Sequence, residues 1–556
     1  MTAFSELARV LTDVTTTSSR NQKLAILSAF LKSLGHDEIG AASLFLAGRL
    51  FPQSDNRTLN VSWKGLIEAL RKVVDFQDQQ LFHLYEGDTG QAVEKFLEMH
   101  QGGRQETLFS EPLSITSVSA DLSRIAESEG TGSRREKEAV LAKLLSDATP
   151  REARYLVALI LGDMRTGVSD TLLVEAIARA FDIESQVVQR AWNLTGNISK
   201  IAVVARTSGE KGLREIGLEI MRPLRPMLAS PLDSISEIPD DVKGYAFEFK
   251  FDGARVQIHR SGNDIRVFSR ALTDVTTSMP EVVEQVSASI PTGAVIFDGE
   301  VIAVDKSGKP FPFQIVMKRY GRSRDIETKR EEIRLNLRLF DVLYLDGQSL
   351  LDEPYSRRRK VLASLCPAEF AVESYRAKSL DSVAKYHEKS RSLGHEGLVA
   401  KKLDSAYQPG VRGTNWLKIK HNLDPMDLCI VAAEWGHGRR SKWLSDFHLA
   451  VRDADTNEFL DVGKTFKGLT DSEFEEMTAR LKRISIGEKR GVVSVRPEIV
   501  VAVLASEIQE SPRYKSRMAL RFARITAIRD DKPPSDVMTL QDLRALFDAQ
   551  FRFKAR

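Results

Sequence analysis

Apolar residues recur three and four positions apart along the first 220 residues, as at Leu24, Leu27, Phe30 and Leu31 and again at Leu141, Leu144 and Leu145. That is the spacing of one helix face, and alternating runs are scarce, so residues 1–220 are predicted to form an all-helical domain. Near residue 220 the texture changes. Pro223, Pro226 and Pro231 in MRPLRPMLASPL exclude a continuing helix and predict an extended linker. Period-two runs follow in YAFEFKFDGARVQIHR, DIRVFSR, AVIFDGEVIAV, LRLFDVLYLDG and GLVAKKL, with helical stretches over Pro280–Ser289 and Leu380–Leu393 between them. Residues 221–422 therefore read as an α+β domain with antiparallel sheets. Over 423–556 strand patterns dominate, in DLCIVAAEWGHG, SDFHLAVRD, EFLDVGKTFKG and PEIVVAVLASEI, with one helix around Asp471–Lys482. Many short strands with a single helix predict a small Greek-key barrel of the OB type, completing a multidomain α+β chain.

Composition narrows the class without choosing a function. A chain of 556 residues is too long for one core, and 42% hydrophobic with 28% charged residues excludes wholesale disorder. Eighty Lys plus Arg against 77 Asp plus Glu leave +3, which alone gives no reason to expect a nucleic-acid partner. Cys366 and Cys429 make neither a disulfide framework nor a four-cysteine zinc site, and a reducing, cytoplasmic setting is expected. The longest apolar runs, Tyr155–Leu161 and Ile499–Ala505, fall far short of the roughly 18–20 residues of a membrane span. The first twenty residues lack the basic head and apolar stretch of a secretory signal, so no membrane partner is expected.

The chemistry begins at Glu248-Phe249-Lys250-Phe251-Asp252-Gly253-Ala254-Arg255, where a strand runs into an Asp-Gly turn. Period two puts Lys250 on one face with Glu248 and Asp252 and turns Phe249 and Phe251 to the other. On this segment alone two readings stay open. Lys250 is either an edge-strand lysine in a solvated ion-pair ladder or a nucleophile, which needs a neutral amine and hence desolvation or nearby positive charge.

Further motifs follow in order. KFDGAR, FSRALTD, FDGEVIA, LFDVLYLDG, EGLVAKK, RGTNWLKIK and RITAIRDDK together resemble the successive signatures of the covalent nucleotidyltransferases, and more closely those of ATP-dependent DNA ligases of the archaeal type, over roughly residues 220 to 535. The resemblance implies a helical DNA-binding domain, an adenylation domain and an OB-fold domain. It implies an enzyme of replication, repair or recombination that seals nicks in double-stranded DNA, using ATP with Mg²⁺ or Mn²⁺. Lys250 would attack the α-phosphate of ATP to give lysyl-AMP, Glu248 would accept a hydrogen bond from the adenine amino group, and Phe340 would stack on the base. Arg255 and Arg270 would bind the ribose or phosphates. Glu300 and Glu396 would lie by the ribose hydroxyls and hold the divalent ion.

Arg412, Lys418 and Lys420 would gather positive charge against the α-phosphate and the leaving pyrophosphate, and the two ammonium groups would depress the pKa of Lys250. Arg529 and Lys532, oriented by Asp531, would bind pyrophosphate on a segment that later swings away so that the barrel clasps DNA. Arg521 and Arg524 would reach ATP or the DNA backbone. In the helical domain the turn Gly162–Asp170 resembles the R-x-G turn of this group, which makes Arg165 an expected DNA contact. A monomer is expected, with a sliding clamp as a candidate partner.

RNA ligases and mRNA-capping enzymes share the lysine and the barrel; the long helical domain and the R-x-D-K ending favour DNA. A DNA-binding scaffold without activity would not need Lys250, Glu300, Glu396, Lys418 and Lys420 together. Gly463-Lys464-Thr465 ends like a Walker A loop, but Glu458 stands where its first glycine belongs and a strand pattern surrounds it, so hairpin chemistry or a DNA-backbone contact is expected. His387 and His395 have no metal-ligand spacing and read as solvated surface histidines. Residues 401–420 hold five basic residues against one acidic, and 511–532 hold seven against two. The mild net charge therefore hides two basic segments expected to meet DNA.

Overall fold

The computed structural model describes all residues except 86–87, 101–111, 131, 240, 292, 320–325, 422, 437–439, 490, 551 and 556. The domain boundary expected at 422 lies outside the described residues. Helix ends in the first third are specified as clearly as their faces. Thr149 and Glu152 form a reciprocal capping box at the start of the helix Pro150–Leu161, which stops at Gly162 in the left-handed region (φ 70°). The next helix, Asp170–Ala180, is capped by Ser169. Among the described residues, 4–215 hold helices and no strand, as the periodicity predicts.

The proline-rich stretch is more than a linker. Leu228–Leu232 forms an edge strand, where Pro231 costs no ladder bond, and it pairs in parallel with Arg412–Lys420. The first sheet is therefore mixed rather than antiparallel, with the order Leu228–Leu232, Arg412–Lys420, Gly397–Lys402, Tyr245–Lys250. The second sheet is antiparallel, in the order Asp264–Ser269, Ala254–Ser261, Ala294–Val304, Arg334–Leu345, Gln348–Ser349. The chain crosses from one sheet to the other through residues 251–253. A Cβ at Gly253 would sit 2.4 Å from the Val301 carbonyl oxygen, so only glycine allows this close crossing.

The C-terminal region is the expected OB-type β domain. Its six-stranded sheet includes Met426–Trp435, Leu444–Arg452, Phe459–Thr465 and Val492–Leu504, and the predicted helix runs over Asp471–Arg483. A second helix, Leu540–Gln550, corrects the expectation of one. Its signals were in the sequence: Thr539 and Asp542 cap each other, and Leu540, Leu543 and Leu546 share a face. Beyond it, Lys554 reaches back to Asp252 at 2.9 Å and Ala555 donates to the Pro310 carbonyl, so the β domain is closed onto the middle domain.

The helix Tyr355–Leu365 is fixed to the second sheet by a fully buried pair, Arg358 with Asp341, at 2.8 and 3.0 Å. Arg358 also donates to the Ser405 carbonyl at 3.0 Å, linking the two sheets. Replacing Arg358 by Met strands an ionised carboxylate in the core. We expect a loss of about 3–5 kcal/mol from the middle domain's unfolding transition in urea; a loss under about 1 kcal/mol would show that water reaches the pair.

Candidate active site

The two sheets and the β domain enclose a cleft of about 730 Å³. Ten expected site residues line it: Glu248, Lys250, Arg255, Arg270, Glu300, Phe340, Glu396, Arg412, Lys418 and Lys420. Period two in Tyr245–Lys250 aims Glu248 and Lys250 into the cleft while Phe249 stacks on Tyr386 at 4.5 Å behind it. Lys250 pairs in register with Gly397, and the Glu396 amide donates to the Lys250 carbonyl at 2.8 Å, which brings Glu396 beside the lysine.

Glu396 binds two lysines at once, Lys250 through one oxygen and Lys420 through the other. Burial pushes its carboxyl up, but the two ammonium groups outweigh burial and hold it at about 2. The same contact corrects the expectation for Lys250. Burial alone would lower its pKa, but Glu396 and then Glu300 outweigh burial and leave it raised. The depression expected there falls on Lys418, brought down to about 8 by burial and by Arg412, Lys420 and Lys250. Glu300 has no ion-pair partner among the described residues, and burial raises its carboxyl to about 7 against the pull of Lys250 and Arg255. An under-compensated carboxylate beside Glu396 fits a divalent cation held by oxygen ligands, so Glu300 and Glu396 are the residues that could hold one.

At the other end of the cleft Glu248 is 3% exposed and bound by the Tyr355 hydroxyl and by Lys401, whose ammonium is 2.8 Å away. Lys401 also donates to the Phe340 carbonyl at 2.9 Å and lies 4.4 Å from the ring centroids of both Phe340 and Trp416. Sequence reasoning missed Tyr355 and Lys401; Lys401 stood inside a quoted motif, but nothing in the string marks it as buried. Phe340 enters the cleft through a bulge: Asp341 opposes Asp298 and Leu339 opposes Gly299, leaving Phe340 as the extra residue. Arg255 lines the cleft with its guanidinium largely committed, at 3.0 and 2.6 Å to Asp298, 2.6 Å to the Met227 carbonyl and 3.2 Å to Tyr407.

Three expected residues lie elsewhere. Arg529 contacts Asp531 at 2.7 Å and Asp427 at 3.0 Å, and Lys532 also binds Asp427, so neither reaches the cleft in this closed arrangement. The β domain instead presents Lys467, Arg521 and Phe522. Arg521 is shared with Glu507 at 3.2 Å and Asp252 at 3.8 Å, while Arg524 pairs with Asp233 at 3.7 Å. Arg165 sits at the exposed tip of its turn, in the left-handed region (φ 43°), with Asp163 2.7 Å away.

Other expectations need correcting. Lys401 is 1% exposed, so the basic segment 401–420 faces the cleft and does not form a DNA-binding surface as a whole. His387 is buried against His421, and His395 packs between Phe249 and Phe251 with its pKa lowered by burial to about 4; neither is a solvated surface histidine. Lys464 is paired with Glu434 across the intervening strand Leu444–Arg452. No helix among the described residues is long and apolar enough to cross a membrane.

Three family models match the chain: the DNA ligase N terminus over residues 3–178, the ATP dependent DNA ligase domain over 226–420, and the ATP dependent DNA ligase C terminal region over 440–532. DNA ligase 1 of Korarchaeum cryptofilum is 42% identical over 548 residues, covering 98% of each chain. The DNA ligase of Thermococcus onnurineus is 38% identical over 559 residues, covering 100% of this chain and 99% of its own. The solved structure Pmar-Lig_PreS3 shares the fold, with a TM-score of 0.55 and 18% identity over 94% of this chain and 99% of that one.

The raised carboxyl of Glu300 has a thermodynamic consequence. Its folded-state pKa of about 7 lies above the ordinary 4.5, so the protonated form favours folding, and that contribution is intact below pH 4.5 and lost as pH rises through 7. Glu300→Gln removes the loss. Without divalent ions, the variant is expected to gain up to about 3 kcal/mol on the parent protein between pH 5 and pH 8, read from urea midpoints; parallel pH profiles for the two proteins would contradict the assignment.

Proposed function

The chain belongs to the ATP-dependent DNA ligase family and is a DNA ligase, and on that premise we propose that it seals nicks in duplex DNA with Lys250 as the carrier of AMP. The observation that supports this reading is the convergence of Lys250, Glu396, Lys418 and Lys420 at one end of a cleft whose other end holds Glu248 and Phe340. Phe340 offers a ring face to the base, and Glu248, its two oxygens oriented by Tyr355 and Lys401, accepts from the adenine amino group. The triphosphate then lies toward the lysines.

In the first step the Lys250 amine attacks the α-phosphorus; an N–P bond forms and the P–O bond to pyrophosphate breaks. Lys250 begins as an ammonium ion and must lose a proton, which its pairing with Glu396 opposes. Glu300 and Glu396 would hold a Mg²⁺ or Mn²⁺ ion, which would supply positive charge for the phosphates, and Glu396 so engaged would loosen its hold on Lys250. Lys418 and Lys420 stabilise charge on the α-phosphate and on the leaving group. AMP then passes from Lys250 to the 5′-phosphate at the nick, and the 3′-hydroxyl displaces it to form the phosphodiester.

Arg529 and Lys532 take part only after leaving Asp427, so we assign them to a β-domain orientation reached during adenylation. Arg165, exposed on its turn, contacts the duplex backbone. We read the working unit as a monomer, because Glu248, Lys250, Glu300, Phe340 and Glu396 complete the cleft within a single fold.

Incubation with α-labelled ATP and Mg²⁺ followed by denaturing electrophoresis should show labelled protein for the parent sequence and none for Lys250→Ala. Sealing of nicked duplex by Lys250→Ala, or labelling by GTP in place of ATP, would overturn the proposal. Arg529→Ala should slow self-adenylation at least tenfold while sealing a pre-adenylated nick at close to the parent rate; equal losses in both assays would remove the separate adenylation role.

A further inference from the structure

Tyr355 opens the helix Tyr355–Leu365, is fully buried and does not line the cleft. Its hydroxyl nevertheless donates to Oε1 of Glu248, a residue that does. The Lys401 ammonium lies 2.8 Å from Oε2, so each oxygen of Glu248 has its own donor and the carboxyl group is fixed in its plane. A carboxylate has about four lone-pair sites, and two donors leave acceptor capacity for the cleft.

The tyrosine is itself firmly held. Its amide donates to the Ser405 carbonyl at 2.9 Å, and one turn further on Arg358 anchors the helix to Asp341. The Lys401 ammonium lies 5.0 Å from the centroid of the Tyr355 ring, so the two donors to Glu248 also brace each other. Burial, and after it Glu248, push the Tyr355 pKa well above the ordinary 10, so the hydroxyl keeps its proton and remains a donor. A buried tyrosine hydroxyl needs a partner, and for packing alone any acceptor would serve. Here the acceptor is the carboxyl group that faces the base.

We propose that Tyr355 is a positioning residue that makes the site choose an aminopurine over an oxopurine, acting through Glu248. The proposal rests on Glu248 being the acceptor for the adenine amino group. Adenine turns a donor toward that carboxyl group. Hypoxanthine carries a carbonyl oxygen at the same ring position and sets acceptor against acceptor. A site built to hydrogen-bond one substrate group rejects the analogue that lacks it, but only while its own polar group cannot turn away. Without the Tyr355 hydroxyl, Oε1 loses its donor, the carboxyl group turns about its last torsion, and the acceptor no longer stays aimed at the base. ATP then binds more weakly and ITP is no longer rejected. Lys250 and Glu396, at the far end of the cleft, keep their contacts, so bond formation at phosphorus is unaffected.

The test is self-adenylation of the full-length protein by ATP and by ITP, each α-labelled, with Mg²⁺ in excess. The parent protein should favour ATP in kcat/KM by at least about a hundredfold. Tyr355→Phe keeps the buried ring; it should raise the KM for ATP about tenfold, hold kcat within about twofold, and cut the preference for ATP at least about tenfold. A fall in kcat with KM and the preference intact would make Tyr355 a structural residue only and overturn the proposal. So would a parent protein that uses ITP nearly as well as ATP, a result that needs no variant to fold. A parent protein labelled by neither nucleotide would instead overturn the reading of the cleft on which the proposal rests, and the proposal with it.

Discussion

Glu396 holds two ammonium groups, Lys250 and Lys420, in a cleft largely withdrawn from water, and the arrangement around it follows from that one carboxylate. Three lysines and an arginine converge there, and in a medium of low dielectric their mutual repulsion would be large without a counter-charge. One carboxylate at the start of the strand beside Lys250 makes the cluster possible. It does not neutralise it, and burial together with the remaining repulsion from Arg412, Lys420 and Lys250 lowers the pKa of Lys418. In the free site Lys250 is held charged by that carboxylate against the effect of burial. A phosphate-bearing substrate changes the balance by bringing its own negative charge to Lys418 and Lys420.

At the opposite end the same logic runs with the signs exchanged. Glu248 is buried, and its two oxygens are bound by one lysine, Lys401, and one hydroxyl, Tyr355. Lys401 lies between the rings of Phe340 and Trp416, where its charge is further accommodated by their π faces. The two ends of the cleft are thus each organised by one carboxylate, Glu248 and Glu396, fixed by lysine. They lie far apart in the chain yet adjoin in the sheet, because Tyr245–Lys250 pairs with Gly397–Lys402.

How much of this the sequence disclosed depended on the range of the interaction. The strands, the helix Pro280–Ser289, the Asp-Gly crossing and the motif residues were legible because period and turn chemistry are local. What depended on which element packs where was not. The parallel pairing of Leu228–Leu232 is invisible in a proline-rich string, and the burial of Lys401 looks the same in sequence as surface charge. The sign of the Lys250 shift turned on whether Glu396 or Lys420 came closer, a matter of register. His387 read as a surface residue because its partner His421 is distant in sequence and arrives only when the helix folds over the sheet. The helix Leu540–Gln550 is a different kind of miss, since its cap and periodicity were present and the strand-rich context masked them.

The closed β domain consumes much of the charge that the sequence offers to DNA. Arg521 is shared by Glu507 and Asp252, Lys554 by the same two carboxylates, Arg524 pairs with Asp233, and Arg529 and Lys532 converge on Asp427. Each of these cations already has a carboxylate partner for which a phosphate must compete. Contacts between partly exposed charges are individually weak, about 0–1 kcal/mol, and are screened by salt. Several of them joining the β domain to the middle domain make a closure that is firm in sum and yet can be exchanged pair by pair for phosphates as duplex enters. Asp252 follows Lys250 by two residues, so release of Arg521 and Lys554 from it is felt at the reacting lysine itself. The β domain is therefore coupled, through one aspartate, to the lysine proposed to carry AMP.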